Sequence, residues 1–222
     1  MAFLLALETT TKNCSVALFQ DSNLMHLCEH NSDKYSHSEN LTLFIEEVVQ
    51  NTNIMLQDID AILLSKGPGS FTGLRIGTST AKGLCYSLDI PLVSVSTLKT
   101  MAFGMLREGD YSFYCPMIDA RRMEVFAAIY DQSNNEVREV RADIVDANIY
   151  SNFLKEKVLF FGDGAFKCKD IIRHSNAHFV DGFFPSARYM GAPGVKKFMN
   201  KEFENIAYFE PYYLKDFVVG KK

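Results

Sequence analysis

Short apolar runs separated by polar turns open the chain. Residues 3–7, 14–19 and 24–29 alternate with Glu8-Thr9-Thr10-Thr11 and Asp21-Ser22-Asn23, which predicts three strands in an antiparallel meander. Between 39 and 51 the period changes. Leu41, Phe44, Ile45, Val48 and Val49 recur at helical spacing, with Ser38 or Asn40 placed to cap the helix. A short buried-type strand at 60–66 runs into Gly67-Pro68-Gly69-Ser70, where the chain breaks, and 71–88 reads as a second helix. A strand at 90–95 and a helix over 96–106 complete the order βββαβαβα, the pattern of a sheet with helices packed on it.

After Glu108-Gly109-Asp110 the pattern restarts. Strands are expected at 114–118, 123–130 and 136–143, then a helix over 144–154 and a strand at 158–162. Residues 167–174, 177–180 and 187–201 read as helix, strand and helix. The second half therefore begins like the first. The inference is a duplicated, two-lobed α/β architecture, with an N-terminal lobe over 1–106 and a C-terminal lobe over 107–222. No sequence identity between the halves is visible, so the duplication is one of topology. The last stretch, 208–222, is aromatic and then basic, and reads as an arm packed on the body or as a contact for RNA or a partner.

Charge narrows the function classes. The net charge is −4, whereas a chain that gripped nucleic acid alone needs a basic face to supply phosphate contacts. Any RNA role is then local or shared with a partner. Cys14, Cys28, Cys85, Cys115 and Cys168 are odd in number, widely spaced and without a CxxC pair, so free thiols in a reducing, cytoplasmic setting are expected. The opening MAFLLALETTT lacks a basic flank and a small-residue cleavage site, so it does not read as a signal peptide, and no apolar run suggests a membrane span.

Three constellations carry chemical possibilities. Gly67-Pro68-Gly69-Ser70-Phe71-Thr72-Gly73 lies between a strand and a helix, where backbone N–H groups can face an anion. It matches neither G-x-x-x-x-G-K-[ST] nor G-x-G-x-x-G, and glycines there also serve a tight turn and close packing. In the helix beyond it, Gly73, Gly77 and Ala81 define a small-residue face that would let another helix approach. The propensity loss of Gly73, Gly77 and Gly83, about 1 kcal/mol each, calls for a packing gain. Replacing Gly77 with Leu is therefore expected to abolish partner binding. Glu8-Thr9-Thr10-Thr11 places an acid and hydroxyls in a first β-turn, where kinase-like folds hold metal and phosphate, although a solvated turn fits equally. Asp119-Ala120-Arg121-Arg122 occupies the matching turn of the second lobe, where glycine would let phosphate approach. The arginines obstruct that approach and read as structural or interface residues. His26 and His30, four apart on a strand, do not converge and no H-E-x-x-H occurs, so no metal site or cofactor is expected; no G-x-S-x-G elbow occurs, which leaves a Ser–His–Asp arrangement open.

The stretches LALETTTKNCSVAL, SKGPGSFTGLRIGTSTAKGL, PLVSVSTL, PMIDARRMEVFAAIYD, FFGDGA and EPYYLKDFVVGKK, in that order, resemble the TsaB (YeaZ) family over nearly the whole chain. The resemblance implies an actin-like (ribonuclease H-like) two-lobed fold of mixed sheets. It also implies a degenerate nucleotide site, which maps to Glu8, Thr9, Thr10, Gly67, Gly69 and Ser70. A non-catalytic role is implied: pairing as a heterodimer with a TsaD-type catalytic subunit, joined by a TsaE-type ATPase. That assembly threonylcarbamoylates the tRNA adenosine beside the anticodon, and tRNA is reached only through it. The family contact uses the two N-terminal helices, here Leu41, Ile45, Val48 and Val49 on the first and Gly73, Gly77, Thr80, Ala81 and Leu84 on the second. A homodimer is expected when the partner is absent. The catalytic relative holds a metal with paired histidines, and the region around His37 lacks the second one. The competing readings are an actin-like phosphotransferase or ATPase using Glu8, Thr9 and Thr10, and a metalloprotease-like hydrolase.

Overall fold

Successive side chains of a strand point to opposite faces, so each apolar run is stable only where both faces are covered. In the computed structural model, which describes residues 1–31 and 37–215, that cover comes from helices on both faces of the first sheet, and from one helix on one face and a series of turns on the other face of the second. Strands β1 (Phe3–Glu8), β2 (Asn13–Gln20) and β3 (Asn23–Asn31) form the antiparallel meander. Strands β4 (Ala61–Ser65) and β5 (Leu92–Val95) add in parallel, giving the order β3-β2-β1-β4-β5. The second sheet holds β6 (Phe113–Asp119), β7 (Glu124–Asp131), β8 (Glu136–Ile144), β9 (Val158–Phe161) and β10 (Ala177–Val180) in the order β10-β9-β6-β7-β8. Its strand directions repeat those of the first sheet. The duplication inferred from the element pattern is thus present as topology.

Helices α1 (His37–Thr52) and α2 (Phe71–Leu88) lie side by side on one face of the first sheet. Leu41, Ile45, Val48, Ala81 and Cys85 meet Leu5, Leu7, Val16, Leu18, Ile62 and Leu64 there. Ala187 and Met190 cover the opposite face, packing with Phe19, Leu63 and Val93, and α4 (Gly191–Met199) follows them. Gly191 and Gly194 set that approach: a Cβ at Gly194 would lie 2.4 Å from Leu63. Helix α3 (Thr97–Met105) packs on the second sheet through Leu98, Met101, Ala102 and Met105. The break at 106/107 therefore separates the sheets but not the packing, because each half of the chain lends a helix to the other sheet.

Three expected helices differ. Residues 144–154 form no helix: β8 runs through Ile144, and Asp146 turns its carboxylate onto the Asn148 N–H at 2.8 Å, a local bond that competes with helix. Residues 167–174 form a 3-10 turn, Phe166–Cys168, followed by further turns. The helix expected over 187–201 is split at Met190 into a 3-10 turn, Ala187–Tyr189, and α4. Neither Ser38 nor Asn40 caps α1, since both lie within its first turn. Ser70 does cap α2, accepting from the Gly73 N–H at 3.3 Å. The tail is described as far as Lys215, and its basic end lies outside the described residues.

In the second lobe, Arg138 makes two bonds to Asp143 at 2.8 and 2.6 Å, and Tyr150 Oη donates to the same carboxylate at 2.8 Å. This ties β8 to the turns that replace the expected helix.

Candidate functional site

The sheets meet at a cleft of about 630 Å³. Thr10, Thr11, Lys12, Gly69, Ser70 and Phe71 line it from the first lobe; Asp119, Ala120, Arg121 and Asp163 line it from the second. The first wall is built by the GPGSFTG segment closing on the β1–β2 turn. The Ser70 N–H donates to Thr10 O at 2.7 Å and Thr9 Oγ1 donates to Gly73 O at 2.8 Å. A Cβ at Gly69 would lie 2.4 Å from Thr10 O, and one at Gly73 2.0 Å from Thr9 O. Both glycines are therefore dictated by backbone-to-backbone contact. Gly67, at φ 106, lies against Tyr212 O and does not reach the cleft.

Of the six residues expected to form a nucleotide site, Thr10, Gly69 and Ser70 line the cavity, while Glu8, Thr9 and Gly67 do not. Glu8 lies beneath the wall, fully buried. Its Oε1 accepts from the Thr10 N–H at 2.7 Å and from Thr10 Oγ1 at 2.5 Å; its Oε2 has no partner among the described residues. Burial raises the Glu8 carboxyl above the ordinary range, against the opposing pull of the Ser65 and Thr10 hydroxyls. The folded protein then holds a proton that the unfolded chain releases, so this group costs stability as pH rises above the ordinary glutamate range. Glu8→Gln, which keeps an acceptor oxygen and does not titrate, is expected to gain on the parent as pH rises above the ordinary glutamate range in urea midpoint measurements. His37 is also buried. Its Nε2 lies 2.7 Å from Thr11 O and burial lowers its pKa, so it braces the same turn.

The second wall is closed in a different way. Arg121 and Arg122 sit in the left-handed region, φ 69 and 48, where glycine is the usual occupant. Lys167 Nζ bonds Asp119 Oδ1 and also donates to Arg122 O at 2.8 Å and Glu124 O at 2.6 Å. Asp119's own N–H donates to Asp163 Oδ1 at 3.0 Å, and burial, aided by the Asp119 charge, raises the Asp163 carboxyl. The arginine turn is thus tied down from within the lobe. The tail crosses between the walls: the Tyr212 N–H donates to Lys66 O at 2.7 Å, Tyr213 lies against Phe71 and Lys215 pairs with Glu124.

A repeat that the sequence analysis did not single out emerges here. Gly162, at φ 103, follows β9 as Gly67 follows β4, and a Cβ at Gly164 would lie 2.8 Å from the Ile118 carbonyl carbon, as Gly69 abuts Thr10. The two G-x-G segments, Gly67-Pro68-Gly69 and Gly162-Asp163-Gly164, seat the first hairpin turn of each lobe.

The expected contact residues on α1 and α2 need correction. Leu41, Ile45, Val48, Gly73, Gly77 and Ala81 are buried in the protein's own core, and Val49, Thr80 and Leu84 are half-buried. The small face points inward: a Cβ at Gly77 would lie 2.4 Å from Thr9 Oγ1. The packing gain required at Gly73 and Gly77 is intramolecular, so Gly77→Leu would disrupt the first lobe itself. The outward side carries Leu43, 59% exposed, and Tyr86, 85% exposed. Gly83 lies there too, and a Cβ on it would have nothing within 4 Å among the described residues. All five cysteines are free and buried, and burial pushes the Cys14 and Cys85 thiols up to about 12. No helix of the described residues is long and apolar enough to cross a membrane.

Comparison with known proteins agrees with this architecture. Residues 32–171 match the family model described as TsaD, tRNA N6-adenosine threonylcarbamoyltransferase. The tRNA threonylcarbamoyladenosine biosynthesis protein TsaB of Escherichia coli is 30% identical, over 99% of this chain and 97% of its own length. The protein of the same name from Bacillus subtilis is 32% identical, over 90% and 88%. Among solved structures, a Pseudomonas aeruginosa protein with similarity to peptidase YeaZ superposes with a TM-score of 0.81 at 24% identity, covering 97% of this chain and all of its own. An inorganic polyphosphate/ATP-glucomannokinase from Arthrobacter shares the fold at a TM-score of 0.50 and 10% identity, covering 90% of this chain. By sequence over almost its full length, the chain belongs to the TsaB (YeaZ) family of tRNA threonylcarbamoyladenosine biosynthesis proteins.

Proposed function

We propose that this chain is a cytoplasmic, non-catalytic subunit for threonylcarbamoylation of the tRNA adenosine beside the anticodon. It docks onto a TsaD-type catalytic subunit through the outer side of α1 and α2. A TsaE-type ATPase joins that assembly, tRNA is met only within it, and the isolated chain pairs with itself through the same helices.

The observation that carries this reading is Gly83. Glycine in an exposed helix interior costs about 1 kcal/mol relative to alanine, and no contact among the described residues offsets it. A partner backbone seated over Gly83, between Thr80, Leu84 and Tyr86, supplies the missing contact. Gly83→Arg is expected to weaken association by about 2–3 kcal/mol, roughly 30–150-fold, with the monomer fold unchanged. Pull-down of the catalytic subunit and light scattering of the isolated chain read the two equilibria. Undiminished association of the variant in both would remove α2 from the interface.

The second reading is an ATP-dependent phosphotransferase. The cleft favours it in part, since the N-terminus of α2 and the cations Lys12, Arg121 and Lys215 line one cavity. Against it, Glu8 lies beneath the wall and the second-lobe turn carries arginines instead of glycine. Calorimetry with magnesium and ATP separates the two: tight binding with turnover would reverse the order.

A further inference from the structure

One group of unlike metal donors converges away from the cleft, among the described residues. His26 and Cys28 are two apart on β3, so their side chains leave the same face of that edge strand. Cys28 packs into the core beside Leu41 and Ile45 of α1, and Glu47 reaches the pair from α1. The donor atoms of all three lie within 4.8 Å of one another. We propose that His26, Cys28 and Glu47 bind a zinc-class divalent cation that staples α1 to β3.

The geometry is close to what one ion requires. At zinc distances of about 2.0–2.3 Å, tetrahedral donors stand roughly 3.3–3.8 Å apart, a change that small side-chain rotations supply. The donor set selects the metal. One imidazole nitrogen, one thiolate and one carboxylate suit zinc, whereas magnesium and calcium take oxygen shells. Cys28 binds as the thiolate, its proton passing to solvent, and the two anionic donors balance the dication. The fourth position faces water, because Glu47 is exposed and His26 only half-buried. Sequence spacing does not reveal this group. His26 and His30 do not converge, and the third ligand lies on another element.

Cobalt(II) is the probe. Titrated into the metal-stripped full chain, it is expected to bind one to one, with a thiolate-to-cobalt charge-transfer band and the intense visible bands of a tetrahedral site, both displaced by zinc. Cys28→Ser is expected to abolish the charge-transfer band. The other four thiols are buried elsewhere and serve as internal controls. His26→Gln and Glu47→Gln alter side chains outside the core and are expected to raise Kd at least tenfold. The Cys28 thiol is placed to hydrogen-bond the Glu47 carboxylate, and that bond alone would produce the same juxtaposition without a metal. Absence of the thiolate band in the parent chain would support that alternative, and its survival in Cys28→Ser would place the cobalt on another thiol; either result would overturn the proposal.

Discussion

Gly73→Ala is expected to destabilise the first lobe by roughly 3 kcal/mol, while Gly83→Ala, in the same helix, is expected to stabilise it by about 0.5–1 kcal/mol. Intrinsic propensity favours alanine at both positions. The opposite signs come from what the new methyl meets. At Gly73 it would lie 2.0 Å from the backbone oxygen of Thr9, which is itself fixed by the Thr9 Oγ1 bond back to Gly73 O. Backbone cannot step aside as a side-chain tip can, so α2 would have to lift from the β1–β2 turn. Gly77→Ala falls between, because its methyl would meet the Thr9 hydroxyl, which can rotate away at the cost of its bond to Gly73 O. Thermal melting reads the series. At about 2–4 °C per kcal/mol for a chain of this size, Gly73→Ala shifts Tm down by roughly 6–12 °C. If Gly73→Ala melted with the parent, the close seating of α2 on the Thr9-Thr10 turn would be wrong, and with it the wall of the cleft.

Asp143→Ala is expected to cost about 3–5 kcal/mol, acting on the second lobe. Asp143 is 5% exposed and Arg138 12%, so removing the carboxylate leaves a guanidinium with two lost bonds in a mostly dry setting and strands the Tyr150 hydroxyl. An exposed pair such as Arg141 and Glu139 is different: water replaces the lost partner, and its loss is expected to cost less than about 1 kcal/mol. Replacing Arg138 with Met in the Asp143→Ala background removes the orphaned charge and is expected to recover part of the loss. Urea unfolding of the two single variants and the double variant measures the coupling. Additive losses would mean that the pair is not a coupled unit.

Much of the fold was legible because it rests on local pattern. The meander of β1–β3, the periods of α1 and α2, and the restart after residue 110 are written in alternation and helical spacing, which act over a few residues. The failures share a cause. Residues 144–154 carry helix-compatible apolar positions, but Asp146 offers the backbone a side-chain bond and Tyr150 is anchored to Asp143. The 187–201 segment is divided because Gly191 and Gly194 must pass close to Phe19 and Leu63, residues of the other half of the chain.

The candidate sites divide in the same way. That GPGSFTG closes against the ETTT turn was open to inference, since glycines after a strand signal close backbone approach. The parallel G-x-G at 162–164 was there to be read as well. The direction of α2's small face was not. A helical wheel gives a face but not what it faces, and Gly73, Gly77 and Ala81 turned toward Thr9 and the sheet instead of toward solvent. Glu8 likewise reads as a ligand by position and is placed by the fold beneath the cavity.

By itself the sequence determined the family, the order of the strands and the doubled topology, because these follow from local periodicity and from a long, ordered set of motifs. Tertiary structure alone decided which side of a helix is core and which is surface, which hydroxyls reach the cleft, and that a histidine, a cysteine and a glutamate from two elements meet. Those outcomes depend on contacts between residues far apart in the chain. Long-range packing energy, which no window of neighbouring residues contains, settles them.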